Sequence, residues 1–188
     1  FFLKRSNDRS ERVRRAALDG LHSYPTKRVA QMILDQALDE KESDEVRDRS
    51  IRALAAFPPG GTAALFVGGS FNAVYLAANG RPQFVSAENI ARWNGTAWSA
   101  LGAGLDAETH ALCTFDDGSG PALYAGGTSV PAGGGIAKWD GTAWSALGSG
   151  VPQGGRVFAL CVFDDGTGPA LYAGGLFTHM NGVAASNI

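Results

Sequence analysis

The period of the apolar positions changes near residue 57. Upstream, apolar residues recur at helical spacing. Val13, Ala17 and Leu21 fall at i, i+4 and i+8, with Leu18 beside them. Val29, Ile33 and Ala37 form a second stripe, flanked by Leu34 and Leu38, behind Pro25 and an N-cap at Thr26. A third run opens at Ser43, with Asp44 and Glu45 suited to the positive end of a helix dipole, and continues through Leu54. These stripes predict helices. From Thr62 onward the pattern becomes short apolar runs cut by glycine turns, which predicts many short strands.

The strand-forming part repeats. Gly126-Gly127 is followed by Ile136-Ala137-Lys138-Trp139-Asp140-Gly141-Thr142-Ala143-Trp144, and Gly68-Gly69 by Ile90-Ala91-Arg92-Trp93-Asn94-Gly95-Thr96-Ala97-Trp98. A further copy opens at Gly174-Gly175 and reaches Asn187-Ile188. The Trp segments recur at 46 residues and the Tyr-Ala-Gly-Gly segments at 48. Each unit reads as four strands. Val157–Phe163 matches His110–Phe115, then Ala170–Ala173 matches Ala122–Ala125 and, more loosely, Ala64–Val67. A third strand ends at Trp93 or Trp139, and a fourth is centred on Trp98 or Trp144. Four short strands in this length suit one blade of a β-propeller. Asp140-Gly141 and Asn94-Gly95 between apolar runs are hairpin signals. The first unit carries about ten extra residues within Phe71–Ser86, predicting an added hairpin with Val74-Tyr75-Leu76 facing Gln83-Phe84-Val85.

Composition sharpens the division. Residues 1–57 hold 22 of the 34 charged residues and one glycine, Gly20, while residues 58–188 hold the other 25 glycines. The junction Phe57-Pro58-Pro59-Gly60-Gly61 stops helices and forms turns. The expected organisation is a helical segment at 1–57, a Pro/Gly linker at 58–61, and blades over 62–188. The fold class is therefore α + β in separate segments. A net charge of −2 points to neither a nucleic-acid binder nor an acidic tail. Arg12, Arg14 and Arg15 lie among Asp8, Glu11 and Asp19, and read as a solvated polar face. No apolar run approaches the roughly 18 residues of a membrane-spanning helix.

Two resemblances follow from these residues. Val13-Arg14, Ala17-Leu18 and Leu21 align with Val46-Arg47, Ser50-Ile51 and Leu54 at an offset of 33, and this pattern over residues 8–57 resembles about one and a half HEAT-like repeats. The Gly-Gly doublet followed by an aromatic residue and then a Trp resembles the kelch motif over residues 62–188. Its wording, Phe-Asp-Asp-Gly-Ser/Thr-Gly-Pro-Ala-Leu-Tyr-Ala-Gly-Gly, is also similar to repeats of large planctomycete proteins. The kelch resemblance implies a propeller. It implies no activity, because propellers host many unrelated functions.

Candidate chemistry is sparse. Asp116-Asp117 and Asp164-Asp165 are the recurring carboxylate pairs, and Asp-Asp-Gly-Ser-Gly has oxygens that suit calcium. Side-chain-to-backbone turn bonds explain them equally well. Calcium is thus the one metal entertained, and no other cofactor is expected. His22, His110 and His179 are scattered, and no nucleophile motif or phosphate loop occurs. Cys113 and Cys161 stand at equivalent positions and read as small buried hydrophobes. The four tryptophans suggest a sugar platform, but their repeated positions favour structure.

The 131 residues from 58 onward correspond to about 2.7 units of 48, fewer than the four to eight blades of closed propellers. This reading expects a fragment of a longer protein, or an artificial sequence, whose open sheet edges promote self-association. The functional expectation is a non-enzymatic repeat scaffold for protein or ligand binding. The alternatives are the propeller domain of an extracellular carbohydrate-active enzyme, and a structural cell-surface repeat protein. Expected partners are a protein, a glycan or a second copy, with no nucleic acid. Localisation stays open, with a bacterial extracellular or cell-surface location favoured for the blades.

Overall fold

The computed structural model describes residues 53–57, 64–78, 81–94, 96–128, 134–152, 154–180 and 183–184. All fourteen elements among them are strands, and every strand pairing is antiparallel. The first sheet takes β1 (Ala53–Phe57), β2 (Ala64–Gly68), β5 (Ile90–Trp93) and β6 (Trp98–Ala100), in that order. The second takes β7 (Thr109–Asp116), β8 (Pro121–Gly127), β9 (Ile136–Trp139) and β10 (Trp144–Ala146), again in chain order. β11 (Arg156–Asp164) and β12 (Pro169–Leu176) pair as a third sheet, which repeats the β7–β8 hairpin. Two further hairpins, β3 (Ala73–Ala78) with β4 (Arg81–Ser86) and β13 (His179–Met180) with β14 (Val183–Ala184), follow β2 and β12.

This corrects the expected fold class. No helix occurs among the described residues, which are all-β, and this overturns the expected class of α + β with a separate HEAT-like helical segment as far as those residues reach. The correction is concrete at Ala53 and Leu54, which were expected at the end of the third helix and instead open β1. Ala-Leu-Ala-Ala-Phe carries good helix formers. Yet all five residues pair with β2, from Ala53 opposite Gly68 to Phe57 opposite Ala64, and the ladder overrides local propensity. The remaining helical expectations, and the Pro58 to Gly61 linker, lie outside the described residues.

The four-strand unit itself is present twice. Leu65 faces Trp93 as Leu123 faces Trp139, and Gly68 faces Ile90 as Gly126 faces Ile136. The added hairpin forms in the expected register, with Val74 opposite Val85 and Leu76 opposite Gln83.

Turn chemistry sets these ladders. Between Phe115 and Ala122, Asp116 Oδ1 accepts from the amides of Gly118 and Gly120 at 2.9 and 3.0 Å. Both glycines have positive φ, +94° and +107°, so β-carbons would strain the turn. Asp164 repeats this with Gly166 and Gly168 at 2.8 and 3.0 Å. Between the paired tryptophans the loops are four residues long. Asp140 Oδ1 accepts from the amides of Thr142 and Ala143, and Asn94 Oδ1 does the same for Thr96 and Ala97.

The sheets stack face to face. Phe66, Ile90, Leu101 and Leu105 of the first sheet and its following loop pack on Leu123, Ala125, Ala137 and Trp139 of the second. The opposite face of the second sheet, with Ala122, Tyr124 and Ile136, packs on Val151, Val157 and Phe177. The opposite face of the first sheet, with Leu65, Val67, Trp93 and Trp98, is covered by Phe71, Val74 and Val85 from the β3–β4 region. Stacked faces need close approach, and glycine provides it. A β-carbon on Gly68 would lie 2.5 Å from Thr109 Cγ2, and one on Gly126 would lie 2.7 Å from Val157 Cγ1. The second and third sheets thus each press one β-branched side chain of their first strand into a bare glycine of the sheet before.

Candidate functional site

The repeated Asp-Asp turn carries the densest polar cluster among the described residues. Asp116 and Asp164 are consumed by backbone turn bonds. Asp117 and Asp165 reach further. Asp117 Oδ1 accepts from the Ser119 amide and hydroxyl at 3.1 and 2.6 Å. Its Oδ2 accepts from the Tyr124 hydroxyl at 3.0 Å and from Lys138 Nζ at 2.5 Å. Lys138 also donates to Ser119 Oγ at 2.7 Å and sits 5.8 Å from the Tyr124 ring centre. These groups meet because Tyr124 and Lys138 are cross-strand partners on β8 and β9.

The electrostatics follow from the contacts. The Lys138 ammonium, then Ser119 and Tyr124, hold the Asp117 carboxyl well below the usual carboxylate range. Asp117 in turn raises Lys138. Burial, then the neighbouring Asp117, raises the Tyr124 hydroxyl. The cluster is a fully ionised pair with a neutral phenol, an arrangement that ties the β7–β8 turn to β9. It offers neither a free base nor an activated nucleophile.

The third sheet has a partial copy. Asp165 Oδ1 accepts from the Thr167 amide and hydroxyl at 3.0 and 2.6 Å, and its Oδ2 takes the Tyr172 hydroxyl at 3.3 Å. Among the described residues no cation reaches it. In the first sheet Arg92 occupies the Lys138 position, opposite Phe66 in place of a tyrosine, and its Nε is buried without a hydrogen-bond partner.

The other candidates disperse. Asp116, Asp117, Asp164 and Asp165, the calcium ligands considered, lie in turns of two different sheets. No group of three or more His, Cys, Asp or Glu among the described residues is placed to hold a metal ion. His110 is near Thr128 Oγ1 at 3.2 Å and Glu108 at 3.6 Å, and His179 near Thr178 Oγ1 at 3.0 Å, so the two histidines keep separate company. Cys113 is half-buried and Cys161 exposed, both as free thiols, which corrects their reading as buried hydrophobes. Burial raises the Cys113 thiol further from reactivity.

The tryptophans form inward pairs, Trp93–Trp98 at 5.3 Å and Trp139–Trp144 at 5.2 Å between ring centres. Trp93, Trp98 and Trp139 are buried, which leaves no flat platform for a sugar. Trp144 Nε1 donates to the Leu101 carbonyl of the preceding sheet's loop at 3.1 Å. Trp98 Nε1, its counterpart, is buried with no partner among the described residues.

Lys138 and Tyr124 were not singled out from the sequence. The available signal was their shared register, since Tyr recurs at 172 and a cation at Arg92. No family model matches the chain, no curated protein matches it, and no solved structure matches its fold. Among the described residues, no helix is long and apolar enough to cross a membrane.

Proposed function

We propose that this protein is a non-enzymatic binding scaffold built from kelch-like β-propeller blades. One observation carries the reading. The same four-stranded antiparallel sheet occurs twice in succession, in the same order and register, stacked face to face with a third hairpin of the same kind. Stacked four-stranded meanders are how propeller blades are built. The polar clusters support binding over catalysis, because their carboxylates are spent on turns and on Lys138. Loops and exposed sheet faces then present the binding surface, and a protein is the favoured partner.

The test pairs two measurements on the purified chain. Incubation with a panel of polysaccharides and synthetic esters should give no turnover, and a glycan array should give no saturable signal. Turnover would move the protein to the carbohydrate-active class. Glycan binding without turnover would replace the protein partner by a sugar.

A further inference from the structure

The face of the first sheet that carries Leu65, Val67, Ala91 and Trp93 matches a face of the second sheet residue for residue. There the same positions hold Leu123, Ala125, Ala137 and Trp139. In the second sheet that face receives another sheet, through Phe66, Ile90 and the loop residues Leu101 and Leu105. In the first sheet it receives Phe71, Val74 and Val85 instead, from the β3–β4 hairpin and its root. The hairpin buries what it covers as fully as a sheet does, since Trp93 is 6% exposed and Trp139 9%. It does not bring the polar contact that a sheet brings. Trp144 Nε1 donates to the Leu101 carbonyl across the sheet interface. Trp93 Nε1 and Trp98 Nε1 are buried with no acceptor among the described residues.

The root of the hairpin is clamped. Asn89 has a left-handed backbone, φ +58°, where the second sheet has Gly135 at +68°. Its amide donates to the Phe71 carbonyl at 2.7 Å, and its Oδ1 accepts from the Phe71 amide at 3.3 Å. Its Nδ2 donates to the Leu105 carbonyl at 2.8 Å, so one side chain ties the hairpin root to the loop after the first sheet. We infer that the β3–β4 hairpin is a strap that shuts the stacking face of the first sheet against another sheet of this kind. Strap and sheet claim the same apolar residues, so each excludes the other. The strap holds by apolar contact and by the Asn89 tether, and it leaves two indole N–H groups unsatisfied beneath it. A stacked sheet with a carbonyl placed like that of Leu101 would remove part of that cost. The strap acts in this way whatever the scaffold binds elsewhere.

Two variants of the full chain, followed by amide hydrogen exchange and by sedimentation, provide the test. Asn89→Gly installs the residue type found in the second sheet, so it keeps the backbone conformation and cuts the tether. Exchange in β5 and β6 should quicken about fivefold, the worth of one hydrogen bond, with β8 and β9 unchanged. Val74→Asp combined with Val85→Asp should quicken it by more than about tenfold, because two carboxylates then face the tryptophans. In both variants the bared face should meet a second copy, and the weight-average mass should rise with concentration above the wild-type curve. Unchanged exchange in β5 and β6 would overturn the inference, since the hairpin would not be the cover. Quickened exchange without added association would overturn it too, because the face would not be one on which sheets stack. If the double variant also exchanges faster in β8 and β9, it has unfolded, and Asn89→Gly decides alone by the same two readings.

Discussion

At the scale of single residues, the two indole pairs make a controlled comparison. Trp144 and Trp98 occupy equivalent positions, but among the described residues only Trp144 has a carbonyl acceptor, Leu101. Trp144→Phe should therefore cost about 1 kcal/mol more than Trp98→Phe, the net worth of one hydrogen bond, read from urea midpoints. Gly126→Ala places a β-carbon 2.7 Å from Val157 Cγ1, and should destabilise by about 1–3 kcal/mol through overpacking. Asp117 has a folded pKa below its unfolded value because of Lys138. Its contribution to stability is present above the ordinary carboxylate range and is lost as pH falls through the folded value. Lys138→Met should flatten that acid limb by lowering stability at pH 7 towards its acid value, with little change at the acid end. Calcium at millimolar levels should leave the melting temperature where it is, since the turn carboxylates already hold their own donors. Of this, the aspartate turns were legible in the sequence, because their partners lie within four residues. The Lys138 contact was not, since it spans 21 residues and depends on strand register.

Among the elements, hairpins were the most legible. Val74 opposite Val85 could be read from two apolar runs flanking Asn79-Gly80, because hairpin register is a local property. β1 was not legible. Its Ala-Leu composition gives no strand signal, and only the ladder to β2 makes it extended. The exposure of Cys161 was equally hidden, because it depends on what lies beyond the third sheet's outer face. The β3–β4 hairpin is more than an insertion. Phe71, Val74 and Val85 shield Trp93 and Trp98. Replacing residues 73–86 by a short turn should increase binding of a hydrophobic dye and lower the melting temperature.

Across the whole molecule, sequence identity and environment come apart. Leu123 is fully buried between two sheets, whereas Leu171, at the same place in the next copy, is only half-buried. Leu123→Ala should cost about 2–5 kcal/mol, and Leu171→Ala clearly less, as compared in denaturant titrations. A repeat array makes this general: the stability that a residue confers depends on its neighbours in the stack as much as on its own strand. Equal costs for the two leucines would show that the third sheet is covered in solution.

The glycine sockets have a geometric consequence. Thr109 enters Gly68 and Val157 enters Gly126, so one contact fixes how far and at what angle each sheet stands from the last. Applied repeatedly, such a fixed step is a rotation, and its size sets the curvature of any array assembled from these sheets. The volume of a single side chain opposite a glycine thus acts as a pitch adjustment. A bulkier residue at 109 or 157 would open the wedge between two sheets and alter how many fit around one turn.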